Sequence, residues 1–296
     1  MRAELTLLVN PTSGHGRGMR VARDAADRLR GAGVSVRVVH GHDADETAEV
    51  AKEAVAAAPD ALVAVGGDGL THIAAQAAAH TDVPVGLVPA GTGNDLARAL
   101  GIPLDTAAAT ATLLAGTPRT IDLGRVGDEL FVGVMYAGFD SAVNERVNRM
   151  SWPSGRLRYD LAILLELRVF EPRRFLVEMD GEERQVDAMF VSIGNTASYG
   201  GGLQICPAAE PDDGLFDVTV IGPVPRRRVP LLMPRLYQGT HTTHPAVRTY
   251  RAKSVALAAT GVTAYADGER VGPLPQRAEI VPAALQVITP PGDRPA

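Results

Sequence analysis

The sequence predicts an α/β domain on a parallel sheet, residues 1–121, followed by a β-sandwich domain, residues 122–296. Two observations predict this. Short apolar runs alternate with helically spaced segments over the first part of the chain, the order that gives a parallel sheet with helices on its faces. After about Ile121, strand-like runs separated by Gly, Asp and Pro turns take over, as in a sandwich.

In order, residues 5–9 (LTLLV) read as a buried strand ending in Asn10-Pro11. Residues 17–30 carry apolar side chains at helical spacing, and Gly31 and Gly33 mark the stop. Residues 34–39 alternate as a strand. Residues 45–58 form a helix that opens on acidic side chains, which suit the positive end of its dipole, and closes before Pro59. Residues 61–65 are an apolar strand running into Gly66-Gly67, and residues 71–79 an alanine-rich helix. Residues 85–88 are a further strand leading to Pro89-Ala90-Gly91, after which Asn94 or Asp95 caps the next helix. In the second domain the expected strands are 131–137, 174–180, 189–193, 216–221, 254–258 and 262–266, with helices at 159–170 and 227–237.

Composition narrows the function. The net charge of −5 argues against a nucleic-acid partner, which needs a broad basic face. A single cysteine, Cys206, fits a reducing compartment, no leader pattern is expected, and no run approaches the ~20 apolar residues of a membrane-spanning helix. A cytoplasmic location is expected, with any membrane contact peripheral. Only Lys52 and Lys253 among the 29 basic side chains are lysines. Neither lies in a phosphate-gripping motif, which disfavours the P-loop and protein-kinase designs.

Three turns at strand ends carry candidate chemistry. In Gly66-Gly67-Asp68-Gly69 the glycines let backbone amides approach an anion, and the following helix adds positive potential. Asp68 is out of place beside an anion unless Mg²⁺ lies between it and the phosphates of a nucleotide. Gly91-Thr92-Gly93-Asn94-Asp95 repeats the device, with a hydroxyl on Thr92. Asn10-Pro11-Thr12-Ser13-Gly14, with Arg17 beyond it, forms a third wall. Ordinary tight turns explain each loop alone; they do not explain why such loops end neighbouring strands.

These loops resemble those of the diacylglycerol kinase catalytic-domain family, in its bacterial lipid-kinase branch. The similarity runs through Val9 to Gly14, Val65 to Gly69 and Pro89 to Arg98, then Gly138-Phe139-Asp140, Gly194-Asn195, Gly201-Gly202 and Pro207 to Val218. The resemblance implies a two-domain kinase with ATP bound between the domains, contacted by residues 10–14, Gly66, Gly67, Asp68, Gly69, Leu70, Thr71, His72 and Thr92. It implies an acid–base carboxylate within Asp267-Gly268-Glu269, and it does not choose between Asp267 and Glu269. An Asp-Gly pair also favours a hairpin turn, and a hairpin tip can present a carboxylate. A structural Mg²⁺ is implied at Asp213 with the backbone carbonyls of Glu210 and Leu215. Leu70-Thr71-His72 departs from the family pattern, with Thr71 in place to supply the hydroxyl one residue late.

The expected reaction is transfer of the γ-phosphate of ATP to a lipid hydroxyl, with diacylglycerol as acceptor. A sphingoid-base or other lipid kinase, a nicotinamide-nucleotide kinase of the same superfold, and a catalytically silent lipid- or nucleotide-binding regulator stay open. The expected partner is lipid at the inner face of the membrane, and a homodimer is admitted. Arg146, Arg149, Met150, Trp152, Arg156, Arg158 and Tyr159 around Pro153-Ser154-Gly155 suit an anionic interface. Arg226-Arg227-Arg228 places positive charge at a helix start, where the dipole disfavours it.

Overall fold

The computed structural model describes residues 3–11, 16–153 and 155–292. It forms two compact units. Unit 1 runs to Leu123 and takes in the chain again from Val281; unit 2 is Gly124–Ile280.

Unit 1 contains β1 (Glu4–Val9), α1 (Gly18–Gly31), β2 (Ser35–Val39), α2 (Ala44–Ala56), β3 (Ala61–Gly66), α3 (Asp68–Ala78), β4 (Val85–Pro89), α4 (Asp95–Ala99), α5 (Thr106–Ala115) and most of β5 (Thr117–Val126). The strands lie in the order β2-β1-β3-β4, all parallel, with Val9 beside Val65 and Gly66 beside Pro89. Every residue of β3 and β4 is buried, which is why these strands read as unbroken apolar runs. Ala22, Ala25, Ala26 and Leu29 recur at helical spacing on α1 and pack into the core formed by Leu5, Leu7, Val63 and Val65. The Asp43 carboxylate caps α2 by accepting the Glu46 N–H at 2.9 Å.

Unit 2 is a sandwich of two antiparallel sheets. One has the order β12 (Val247–Ala252), β11 (Phe216–Ile221), β10 (Phe190–Gly194), β7 (Val134–Gly138), β14 (Thr263–Ala266), β15 (Glu269–Pro273). The other contains β8 (Arg173–Met179), β9 (Glu182–Ala188), β13 (Ser254–Ala258) and the start of β16 (Gln276–Thr289). Alternation sorts side chains between layers: Met135 and Ala137 of β7 enter the intersheet core with Phe175, Phe216 and Leu257, while Val134 and Tyr136 face helices. Those helices are α6 (Phe139–Arg149), α7 (Arg156–Val169) and α8 (Val229–Tyr237).

Beyond elements the sequence did not predict, such as β9, β12 and β15, four departures from the expectation matter for the site. The last strand starts in unit 2 but returns to unit 1, so the expected second domain of 122–296 loses its end. Val287 pairs in parallel with Val85, and the Ala283 N–H donates to the buried Asp122 carboxylate at 2.8 Å. The expected strand 131–137 is broken at Val132-Gly133, leaving β6 (Glu129–Phe131) and β7. Among the described residues three α-helices, not two, lie in the second half. The third, α6, carries Phe139, Val143 and Val147 four residues apart on its buried face. Finally, α3 starts at Asp68, three residues before the expected start, so Asp68 belongs to a first helical turn.

Candidate active site

The carboxyl ends of β1, β3 and β4 lie side by side in unit 1, where open α/β sheets bind ligands. Asn10 and Pro11 leave β1 half-buried, and the Asn10 N–H donates to the Val65 carbonyl at 3.4 Å. Thr12, Ser13 and Gly14 lie outside the described residues. Arg17 is exposed immediately before α1.

The other two loops are one body. The Gly66 carbonyl accepts the N–H groups of Ala90 and Gly91 at 2.8 and 3.2 Å. The Asp68 carboxylate reaches across and accepts the N–H of Asn94 at 2.9 Å and of Asp95 at 2.6 Å, one on each oxygen. These are the first amides of α4, so Asp68 caps a helix that begins 27 residues later. Asn94 holds the left-handed conformation, φ 56° and ψ 47°, which Asn tolerates better than most residues. Its side chain closes the loop on itself, accepting the Gly91 N–H at 3.1 Å and donating to the Gly91 carbonyl at 3.0 Å. Arg98 donates to the Gly93 carbonyl at 3.0 Å.

The glycines are required by this contact. A Cβ on Gly91 would stand 2.5 Å from the Cα of Gly67. A Cβ on Gly93 would collide with Asp68 Oδ2 and stand 3.3 Å from Asp95 Oδ2. Two carboxylates therefore flank the bare backbone of Gly93, a donor set suited to a hard divalent cation. Gly91→Ala is expected to push the loops apart, cost about 1–3 kcal/mol through overpacking, and lower phosphoryl transfer by about 100-fold through misplacement. Thermal unfolding and steady-state turnover of the variant check both.

Other expected contacts sit as follows. Gly69 is exposed in the first turn of α3, Thr92 is exposed in the loop before α4, and Leu70 is buried. Thr71 turns its hydroxyl inward and donates to the Gly67 carbonyl at 3.2 Å, so it stabilises its own helix turn in place of offering a free hydroxyl. His72 is half-buried, with its Nε2 3.4 Å from Gln76 Nε2 one turn on.

In unit 2, Asp267 sits at the β14–β15 turn with φ 50°. Its carboxylate accepts the N–H groups of Val132 at 2.7 Å, Gly133 at 2.8 Å and Val134 at 3.3 Å, which is what breaks the expected strand 131–137. Asn195 binds the same segment from the other side: its N–H donates to the Gly133 carbonyl at 2.8 Å and its Nδ2 to the Val132 carbonyl at 2.9 Å. Glu269, two residues after Asp267, is exposed, and its side chain makes no hydrogen bond or ion pair among the described residues. The two carboxylates left together by the sequence are thus separated by their surroundings.

At the expected cation site of Glu210, Asp213 and Leu215 the carboxylate has protein partners. Asp213 pairs with Arg251 and accepts the Leu215 N–H at 3.0 Å.

Sequence reasoning missed a polar stripe on α6. Asp140, Asn144 and Asn148, four residues apart, bond respectively to the hydroxyls of Tyr199, Tyr136 and Tyr265. Tyr265 also donates to Glu145 at 3.1 Å, which Arg270 binds at 2.8 Å. The regular spacing was the available signal. Burial pushes the Asp140 carboxyl up to about 7. Folding therefore favours its neutral form, and the unfolded chain sheds that proton at lower pH. Stability contributed here falls as pH rises from the ordinary carboxylate range to about 7 and is flat above. Asp140→Asn is expected to melt higher than the parent at pH 8 and to lose that advantage near pH 4, read from Tm against pH.

Unit 1 is a parallel α/β layer with a strand-end site built from two glycine loops, and unit 2 is a β-sandwich. Residues 4–126 match the diacylglycerol kinase catalytic domain, and residues 133–289 match the YegS C-terminal NAD kinase beta sandwich-like domain. The chain is 44% identical over 294 residues to a diacylglycerol kinase of Mycobacterium tuberculosis H37Rv, covering 97% of this chain and 95% of the relative. It is 35% identical over 274 residues to a YegS-like lipid kinase of Pseudomonas aeruginosa PAO1, covering 90% and 88% of the two chains. A crystal structure of a diacylglycerol kinase from Bacillus anthracis shares the fold, with a TM-score of 0.74 at 18% identity over 98% of this chain and 97% of that one. The chain belongs to the diacylglycerol kinase and YegS-like lipid kinase family. It is a lipid kinase by that membership, and kinase chemistry in the family implies ATP as phosphoryl donor.

Proposed function

We propose that this lipid kinase phosphorylates the free hydroxyl of diacylglycerol to give phosphatidic acid. The observation that carries the phosphoryl-transfer reading is the fused pair of loops, Gly66-Gly67-Asp68-Gly69 and Gly91-Thr92-Gly93-Asn94-Asp95. Their close backbone packing at neighbouring strand ends suits a phosphate chain. The full-length similarity to a protein named diacylglycerol kinase supports the acceptor.

In this reading the acceptor oxygen bonds to the γ-phosphorus, the bond from that phosphorus to the β–γ bridging oxygen breaks, and ADP leaves. The hydroxyl proton passes to a carboxylate. Glu269 takes that role, because it has no competing partner. Asp267, bonded to backbone amides through both oxygens, positions the turn that carries Glu269. Asp68 and Asp95 are the residues that would hold Mg²⁺, which supplies charge neutralisation on the phosphates when bound. The protein's own part is to fix the loops and shape the phosphate site.

The test is turnover of labelled ATP with diacylglycerol, a sphingoid base and NAD offered separately. Labelled phosphatidic acid at the highest rate is expected. A faster reaction on the sphingoid base or on NAD reassigns the acceptor, and ATP binding without turnover on any of them contradicts the kinase reading.

A further inference from the structure

Seven of the ten large apolar side chains exposed among the described residues fall in two short stretches, Trp152 to Val169 and Leu231 to Tyr237. Scattered exposed leucines need no explanation; a concentration on one element does. Trp152 is 77% exposed, so it is no core residue, and Arg158 ties its loop to α7 by donating to the Pro153 carbonyl at 2.7 Å. On α7 the inner face is spent on the core through Ala162, Ile163, Leu167 and Phe170. The outward face nevertheless carries Leu157 and Leu164, 67% and 56% exposed and two turns apart, with Val169 exposed at the helix end. A solvent-facing helix side ordinarily carries polar residues there.

The second stretch joins the first. Arg226 donates to the carbonyl of Phe170, which ends α7, at 3.1 Å, and Leu232 and Leu236 of α8 share the core that holds Ala162 and Phe170. On the outer side of α8, Leu231 is 71% exposed. Arg227, Arg228 and Arg235 surround it in sequence, all exposed, and residues 223–243 contain four arginines and no acidic residue. Arg168 adds an exposed positive charge next to Val169. On a chain of net charge −5 this is a local reversal of sign.

We infer that α7, α8 and the Trp152 loop form a membrane-docking face for an anionic lipid bilayer, with Trp152, Leu157, Leu164 and Leu231 entering the headgroup boundary and the arginines meeting lipid phosphates. Leucine and tryptophan beside arginine on helices that lie flat is the pattern of interfacial anchoring. Charge complementarity selects the occupant. A second copy of the chain would bring the same arginines against themselves, whereas an anionic surface neutralises them. The inference rests on the lipid-kinase reading, because a bilayer is where a two-chain acceptor resides.

The test uses the full chain with vesicles of phosphatidylcholine alone or mixed with phosphatidylglycerol, free of diacylglycerol, and reads binding by co-sedimentation. Binding to the mixed vesicles, weak binding to the neutral ones, and a fall with added salt are expected. Arg227→Glu with Arg228→Glu is expected to weaken binding by at least about 30-fold, at roughly 1 kcal/mol per lost arginine. Leu164→Glu with Leu231→Glu is expected to weaken it about as much. All four sites are exposed, so Tm stays unchanged and turnover of a short-chain, water-dispersed diacylglycerol is kept. Equal binding of parent and variants, equal binding to both vesicle types, or a dimer that Leu164→Glu dissociates overturns the inference. Loss of turnover on the dispersed acceptor by the parent itself would count against the proposed activity and leave the vesicle result to stand or fall alone.

Discussion

Asp68→Ala is expected to lower phosphoryl transfer by about 100-fold or more while the protein remains folded, since small displacements of a positioned phosphate site carry costs of that size. The cause is the tether. Without the carboxylate, the N–H groups of Asn94 and Asp95 lose their acceptor, and the start of α4 loses its tether to the first turn of α3. Hydrogen bonds to a charged group contribute roughly 1.5–3 kcal/mol each, so a fall in Tm of several degrees accompanies the loss. Asp68→Asn separates the two roles of the residue. Its carbonyl oxygen keeps one of the two amide bonds while its NH2 faces the other donor, so part of the fall in Tm remains. The charge that would face Mg²⁺ is gone, so turnover stays low and added Mg²⁺ restores little. Full activity in either folded variant would remove Asp68 from the site.

The second large effect separates Asp267 from Glu269. Asp267→Ala leaves the N–H groups of Val132, Gly133 and Val134 without that carboxylate in a half-buried segment between β6 and β7. Unmet donors of this kind cost about 1–3 kcal/mol each, so a clear loss of stability is expected along with lost activity. Glu269→Gln touches no such bond. It is expected to leave Tm unchanged and to lower kcat by about 10²–10⁴-fold, the usual contribution of a general base. The reverse pattern would transfer the base role to Asp267.

What the sequence made legible follows its local physics. Strands buried on both faces, such as β3 and β4, read directly as apolar runs, and the glycine loops after them marked the strand-end site. The strand-like runs separated by Gly, Asp and Pro turns gave the sandwich. Long-range carboxylate-to-amide bonds leave no local pattern, and they account for the main misreadings. Asp68 looked like a lone acid beside an anion because its partners lie 26 and 27 residues away. Asp267 broke an apparently continuous strand 131–137 because its partners are more than 130 residues distant. Helix α6 was hidden by its charged outer positions, although Phe139, Val143 and Val147 carried the period. The return of β16 to unit 1 could not be read from the periodicity of the strand itself, which says which face is buried but not beside which strand.

The central claim is that the two glycine loops act as one phosphate-binding body locked by Asp68. Amide hydrogen exchange of the full chain, with and without a non-hydrolysable ATP analogue and Mg²⁺, tests it most directly. The account predicts that protection rises together over Gly66 to Gly69 and over Gly91 to Asp95, and that Asp68→Ala reduces both increases at once. Protection of only one loop, or an unchanged joint response in Asp68→Ala, would contradict it.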